Sequence, residues 1–264
     1  MFKEKGYLIL KGFLRFHPYF DEYLSDMCKL AKIICDRNDV SYEESDDIEM
    51  LVSKLFAKEP TLPMPLYHLG TQNNQLVSGN RLKYSEKLLD IVEEIFGKKV
   101  LATPCASDTF TGFHAKKSMN KYVLPIHEDL PYLLQSEDQI SVWIACSPYI
   151  KDVGGLDVWE GSHLDGPHPF YKNENDHYVA DVDETKYKKV NIDWDFGDAI
   201  IMHSSLLHRG QINKTKNRTR VIQLFRYSNL ETEMSINNNW LSRVYTRPGI
   251  KPGDFYDKCN WNSK

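Results

Sequence analysis

The stretch Gly197-Asp198-Ala199-Ile200-Ile201-Met202-His203-Ser204-Ser205-Leu206-Leu207-His208-Arg209-Gly210 decides the fold class. A tight Gly-Asp turn feeds an apolar run, Ala199–Met202, that is too short for a helix and ends in histidines. Beyond the turn around Asn213, the next run, Val221–Tyr227, is again β-rich. Working backwards, similar runs stand at Lys188–Ile192, Leu156–Trp159, Ile140–Ala145, Tyr122–Ile126 and Val100–Ala102. Gly154-Gly155, Gly161-Ser162 and Gly166-Pro167 punctuate them. Many short strands with no helices between them predict a mostly β chain, a jelly roll or barrel, rather than βαβ winding.

Before Gly97 the grammar differs. Gly6–Leu10 reads as a strand, and Tyr19–Cys35 carries apolar residues at helical spacing. Ser41–Glu59 is acidic and reads as a helix or surface loop. In Ser85–Phe96, Ser85 is placed to cap, Leu88, Leu89, Val92, Ile95 and Phe96 form one stripe, and Gly97 stops the helix. The expected organisation is one domain over residues 1–264, with a helix-rich part at 1–97, a jelly-roll core at 98–230 and a C-terminal extension at 231–264.

Composition narrows the function classes. The chain has 264 residues, 41% hydrophobic and 27% charged, which is ordinary globular usage. Thirty-three basic and 37 acidic residues give a net charge of -4, which disfavours nucleic-acid binding by bulk charge. No apolar run is long enough for a membrane helix, and the N-terminal MFKEKGYLIL lacks a signal-peptide core. The five cysteines, Cys28, Cys35, Cys105, Cys146 and Cys259, form no CxxC pair, so free thiols and a cytoplasmic location are expected. No glycine-rich phosphate loop precedes a helix, and there is no Gly-x-Ser-x-Gly elbow.

The chemistry centres on Leu124-Pro125-Ile126-His127-Glu128-Asp129-Leu130-Pro131-Tyr132. In an extended chain, residues two apart share a side, so His127 and Asp129 converge while Glu128 turns away. A histidine and a carboxylate are two members of a facial triad, which needs one more histidine and leaves open positions on iron(II). Downstream, His203 and His208 close an apolar strand, and Arg218 and Arg220 lead into the next. A guanidinium beside such a metal suits the far carboxylate of a 2-keto dicarboxylate. Both arginines fall on one face by alternation.

The segments His127-Glu128-Asp129-Leu-Pro-Tyr, Val142-Trp143-Ile144-Ala145, Gly154-Gly155-Leu156, Gly161-Ser162-His163, Gly197-Asp198, and His208 through Asn213-Lys-Thr215 to Arg220 together resemble the phytanoyl-CoA dioxygenase family. The resemblance runs from about Gly6 to about Tyr227. It implies a double-stranded β-helix and an oxygenase using Fe(2+), O2 and the co-substrate 2-oxoglutarate. It implies His127, Asp129 and His208 as iron ligands, with His203 the competitor for the third place. It implies Arg220 as the co-substrate anchor with Arg218 as the alternative, and Trp143 as a lining residue of that pocket. Lys116 and Lys117 fall where some members place a basic residue near substrate, and His163 matches a structural turn position. Because related halogenases replace the carboxylate with a small residue, Asp129 points to hydroxylation or another oxidation.

The other histidines, His17, His68, His114, His168 and His177, show no ligand spacing and read as surface or loop residues. The loops Glu59–Leu76 and Leu164–Thr185 mix aromatic and polar groups, suiting a small polar metabolite such as a sugar or amino-acid derivative. The alternative is a non-oxidative cupin-like metal isomerase or a carbohydrate-binding jelly roll.

Overall fold

The computed structural model describes residues 1–58, 76–103, 109–114, 123–133, 135–149, 152–174, 177–215 and 217–237. Helix α1 (Phe2–Lys5) and strand β1 (Tyr7–Leu10) open the chain, followed by helices α2 (Pro18–Arg37), α3 (Ile48–Lys58), α4 (Val77–Lys83) and α5 (Glu86–Phe96). Next come β2 (Leu101–Ala102), β3 (Thr109–His114), the one-turn helix α6 (Leu130–Leu133), β4 (Gln139–Ala145) and β5 (Leu156–Glu160). The rest is β6 (Phe170–Lys172), β7 (Tyr178–Ala180), β8 (Lys188–Ile192), β9 (Ala199–His203), β10 (His208–Gly210), β11 (Thr219–Asn229) and α7 (Glu233–Asn237). Among the described residues, no helix is long and apolar enough to cross a membrane.

The helices form where apolar side chains recur every three or four residues. Helix α2 starts one residue earlier than expected because Pro18 presets the backbone of its first turn. It buries Phe20, Tyr23, Met27, Ala31 and Ile34. Helix α5 buries Leu88, Val92 and Phe96, as its stripe predicts, and ends at Gly97 with φ 77°. Ser85 stands at its N-cap as expected, but its hydroxyl makes no capping bond; it donates instead to the Leu82 carbonyl at 2.7 Å, at the end of α4.

The main sheet is antiparallel, ordered β1-β9-β4-β11-β2, with β3 also paired to β11. Strand β11 sits between β4 and its other neighbours and is buried throughout. Alternation along it sorts two cores. Val221, Phe225 and Tyr227 join Ile140, Val142, Ile144 and Ile201 against α2, α3 and α5. Ile222 and Leu224 join Ile200 and Met202 against Leu156, Val158 and Ile192 of the second sheet, ordered β10-β5-β8. Each such fully buried aliphatic side chain contributes about 1.5–3 kcal/mol. The site lies on this inner face, between two sheets whose strands are all antiparallel, as a double-stranded β-helix requires.

Two corrections concern strands. Tyr122–Ile126 does not form one over its described part: residues 123–126 are irregular, and pairing begins only at His127, which bridges to His208. Pro125 has no N–H to give to a ladder. Conversely, β3, β6, β7 and β10 lie outside the expected runs: β6, β7 and β10 are only three residues long, and the six-residue β3 mixes polar and apolar types.

Candidate metal centre

His127 and His208 are joined through their backbones. The His127 N–H donates to the His208 carbonyl at 3.1 Å, and the His208 N–H donates to the His127 carbonyl at 3.0 Å. Their rings lie 4.2 Å apart between centroids. In each ring Nδ1 faces a carbonyl two residues back, Pro125 at 2.7 Å for His127 and Leu206 at 2.9 Å for His208. A carbonyl can only accept, so both Nδ1 atoms carry the proton and both Nε2 atoms keep a lone pair.

Asp129 completes the group. It directly precedes α6, yet its carboxylate is not spent on capping: Ser141 Oγ donates a short hydrogen bond to Oδ2, and an Arg226 guanidinium nitrogen lies 3.5 Å from the same oxygen. Oδ1 lies 3.9 Å from His208 Nε2. One donor atom from each of His127, Asp129 and His208 lies within 4.8 Å of the others, and all three residues are only 3–5% exposed. Burial, reinforced by the neighbouring His208, pushes the His127 imidazole down to about 3. For Asp129, burial pulls the carboxyl up, but Arg226, both histidines and Ser141 outweigh it and hold it below the usual range. Two imidazoles and one carboxylate, each steadied from behind, are a donor set that fits a divalent first-row metal such as iron.

His203 is not part of this group. Its Nδ1 accepts the Ser205 N–H at 3.1 Å, and its ring stacks near His163 at 5.3 Å. The His163 ring in turn packs under Gly6.

Strands β4 and β11 form the floor of the site. Ser141 pairs with Arg226, Trp143 with Leu224 and Ala145 with Ile222, and Arg220 continues the row. Arg220 is 1% exposed and donates from Nη1 to the carbonyls of Gly154 at 2.9 Å, Gly155 at 3.0 Å and Gln211 at 3.2 Å. Burial lowers its guanidinium to about 10, still charged at neutral pH. Gly154 makes this cradle possible. It has φ +85°, and a Cβ there would meet the Gln211 carbonyl at 2.7 Å. Trp143 Nε1 is buried on the same floor with no hydrogen-bond partner among the described residues.

Arg218 goes elsewhere. It lies just before β11 and grips Glu49 of α3, with Nε 2.7 Å from Oε1, while the Thr219 N–H donates to the same oxygen at 3.0 Å. Asn213 shapes the approach to the strand, accepting from the Thr215 N–H at 2.9 Å and donating to the Arg218 carbonyl at 2.9 Å.

Sequence reasoning missed Ser141 and Arg226, although both share strand parity with Trp143 and Arg220. His168 lies in a loop as expected, but it is buried there; it binds Glu128, which does turn away from the triad as alternation predicts. Lys116, Lys117, His68, Cys105, Cys259 and all of Glu59–Leu76 except Leu76 lie outside the described residues, as does the side chain of His114.

Three comparisons bear on this arrangement. A 133-residue stretch is 22% identical to 1-deoxypentalenic acid 11-beta-hydroxylase of Streptomyces arenae, covering 47% of each protein. The chain thus spans about half the length of the curated relatives it matches. The fold is similar to that of the epimerase SnoN in complex with Fe3+, alpha ketoglutarate and nogalamycin RO: TM-score 0.60, 15% identity, 94% of this chain and 88% of that one. It is also similar to the apo non-heme monooxygenase ThoJ: TM-score 0.54, 18% identity, 87% and 76% covered. Finally, residues 2–221 match the family described as Phytanoyl-CoA dioxygenase, a span holding both histidines, Asp129 and Arg220, and the chain belongs to that family.

Proposed function

We propose that the chain is a single iron(II)- and 2-oxoglutarate-dependent dioxygenase domain over residues 1–264 that oxidises a C–H bond of a small-molecule metabolite, hydroxylation being the simplest outcome. The observation that carries this reading is the buried convergence of His127, Asp129 and His208 on one point, with the buried guanidinium of Arg220 on the same inner face. Iron with 2-oxoglutarate supplies oxygen activation, consuming O2 and the co-substrate to give succinate, carbon dioxide and one oxygen atom for the substrate.

The chain's own residues then have distinct tasks. His127, Asp129 and His208 hold the metal and leave its remaining positions to exogenous ligands. Arg220 binds the far carboxylate of 2-oxoglutarate; the three carbonyls orient its fork without neutralising its charge. Trp143 Nε1 offers that pocket a buried donor. Ser141 and Arg226 occupy one oxygen of Asp129, which leaves the other to hold a metal.

The aromatic and polar side chains of residues 164–185 support a polar metabolite, such as a sugar or amino-acid derivative, as substrate. The free, largely buried thiols of Cys28, Cys35 and Cys146 support cytoplasmic residence. Purified protein supplied with iron(II), 2-oxoglutarate and oxygen, with a metabolite extract as substrate source, should form succinate. Chelation or anaerobiosis should stop it. Succinate formation indifferent to iron, or none at all, would overturn the reading in favour of a non-oxidative cupin-like protein.

A further inference from the structure

Glu128 stands between two of the three triad residues and points away from them, 3% exposed. The triad does not use it. Its carboxylate receives the His168 backbone N–H at 3.2 and 3.3 Å, and His168 Nδ1 lies 2.6 Å from Oε1. The turn carrying His168 comes unusually close: a Cβ on Gly166 would lie 2.9 Å from Glu128 Oε1 and 3.1 Å from the Ser205 side chain. Only glycine lets the turn close onto the carboxylate.

The contact continues outward. His168 Nε2 lies 2.9 Å from the Tyr187 hydroxyl, which donates to Asp165 Oδ2 at 2.9 Å. The segment from Ser162 to Tyr187 also grips both ligand-bearing stretches. Ser162 Oγ accepts the Leu207 N–H at 2.9 Å, one residue before His208. The Ala180 N–H donates to the Ile126 carbonyl at 3.0 Å, and the Tyr178 N–H to the Tyr132 hydroxyl at 3.0 Å. A dry carboxylate–imidazole pair is a poor way to gain stability, since an apolar pair of the same shape serves as well. It is a good way to fix one geometry, because its hydrogen bonds are directional.

We propose that Glu128 and His168 are positioning residues of the metal centre: their clasp fixes the backbone that carries His127 and Asp129 and ties metal affinity to the Ser162–Tyr187 segment. The inference rests on the reading of His127, Asp129 and His208 as metal ligands.

Cobalt(II) titration of the metal-free protein tests it, using Glu128→Gln, His168→Gln, the double variant, Tyr187→Phe and His208→Ala. Glu128→Gln and His168→Gln should each bind cobalt about 10- to 100-fold more weakly and alter its ligand-field spectrum. The double variant should bind no more weakly than the worse single one, because the two act as a unit. Tyr187→Phe should shift affinity in the same direction by less. Near-ultraviolet circular dichroism monitors the fold, and if Glu128→Gln does not fold, His168→Gln and Tyr187→Phe carry the test. Single variants within about twofold of the parent, or effects that multiply in the double variant, overturn the clasp. If His208→Ala still binds cobalt normally, the ligand reading fails instead. If His208→Ala loses cobalt while the clasp variants keep it, only the clasp fails.

Discussion

Ser141 of β4 and Arg226 of β11 stand directly opposite each other in the sheet, and both reach the same oxygen of Asp129. A cross-strand pair thus sets the rotamer of the carboxylate proposed to hold the metal. Support of this kind tunes affinity more than it adds stability. Ser141→Ala and Arg226→Met should each weaken iron(II) or cobalt(II) binding about 10- to 100-fold, measured by calorimetry on folded protein. Unchanged affinity in both would show that Asp129 is oriented by other means.

His208 and His203 make opposite predictions. His208→Ala should abolish metal binding and turnover while the protein stays folded, since an open three-ligand site contributes less folding energy than a structural cluster. His203→Ala should keep its metal. Metal analysis of the two purified variants decides between them, and loss of metal from the His203 variant alone would reverse the assignment.

Arg220 and Arg218 separate by partner. Arg220→Lys replaces a bidentate fork with a point charge and should raise KM for 2-oxoglutarate about 10- to 100-fold, the loss of one charge-assisted bond of about 1.5–3 kcal/mol. Iron affinity should hold. Arg218→Lys disturbs only the grip on Glu49 and should leave that KM unchanged. A raised KM in the Arg218 variant with a silent Arg220 variant would refute the proposed anchor.

His203 also carries a pH dependence. Burial, helped by the nearby His163, pushes its imidazole down to about 4. The unfolded chain, with an ordinary value near 6.5, takes up this proton first, so stability falls as pH drops from about 6.5 to about 4, by at most about 3 kcal/mol. In metal-free protein His127, at about 3, steepens the same slope. His203→Gln should flatten the Tm-versus-pH curve between pH 7 and about 4.5 relative to the parent. An unchanged slope would mean that His203 accepts a proton freely in the folded state.

Periodicity made the frame legible. The stripe of α5, the helix at Pro18–Arg37 and the strands at Ile140–Ala145 and Val221–Tyr227 follow from where apolar residues recur. The pairing of His127 with Asp129 was legible for the same reason, since residues two apart in an extended segment face one way. What alternation does not hold is the partner across a turn. Arg218 and Arg220 share a parity, and only the approach of α3 draws Arg218 to Glu49 while the second sheet covers Arg220. His168 escaped for a related reason: 40 positions separate it from Glu128, and neither residue carries a local pattern that announces the other.

The mutual backbone bridge between His127 and His208 means that folding alone brings the two proposed ligands together from distant parts of the chain. The cup is therefore shaped by the fold itself, and any divalent ion that accepts two imidazoles and a carboxylate can be held there. Intrinsic affinity of such a donor set rises from iron towards nickel and copper. Choosing iron is then left to the surroundings, through which ions are at hand when the chain folds. A protein isolated under the wrong supply would be correctly folded, fully loaded and inert.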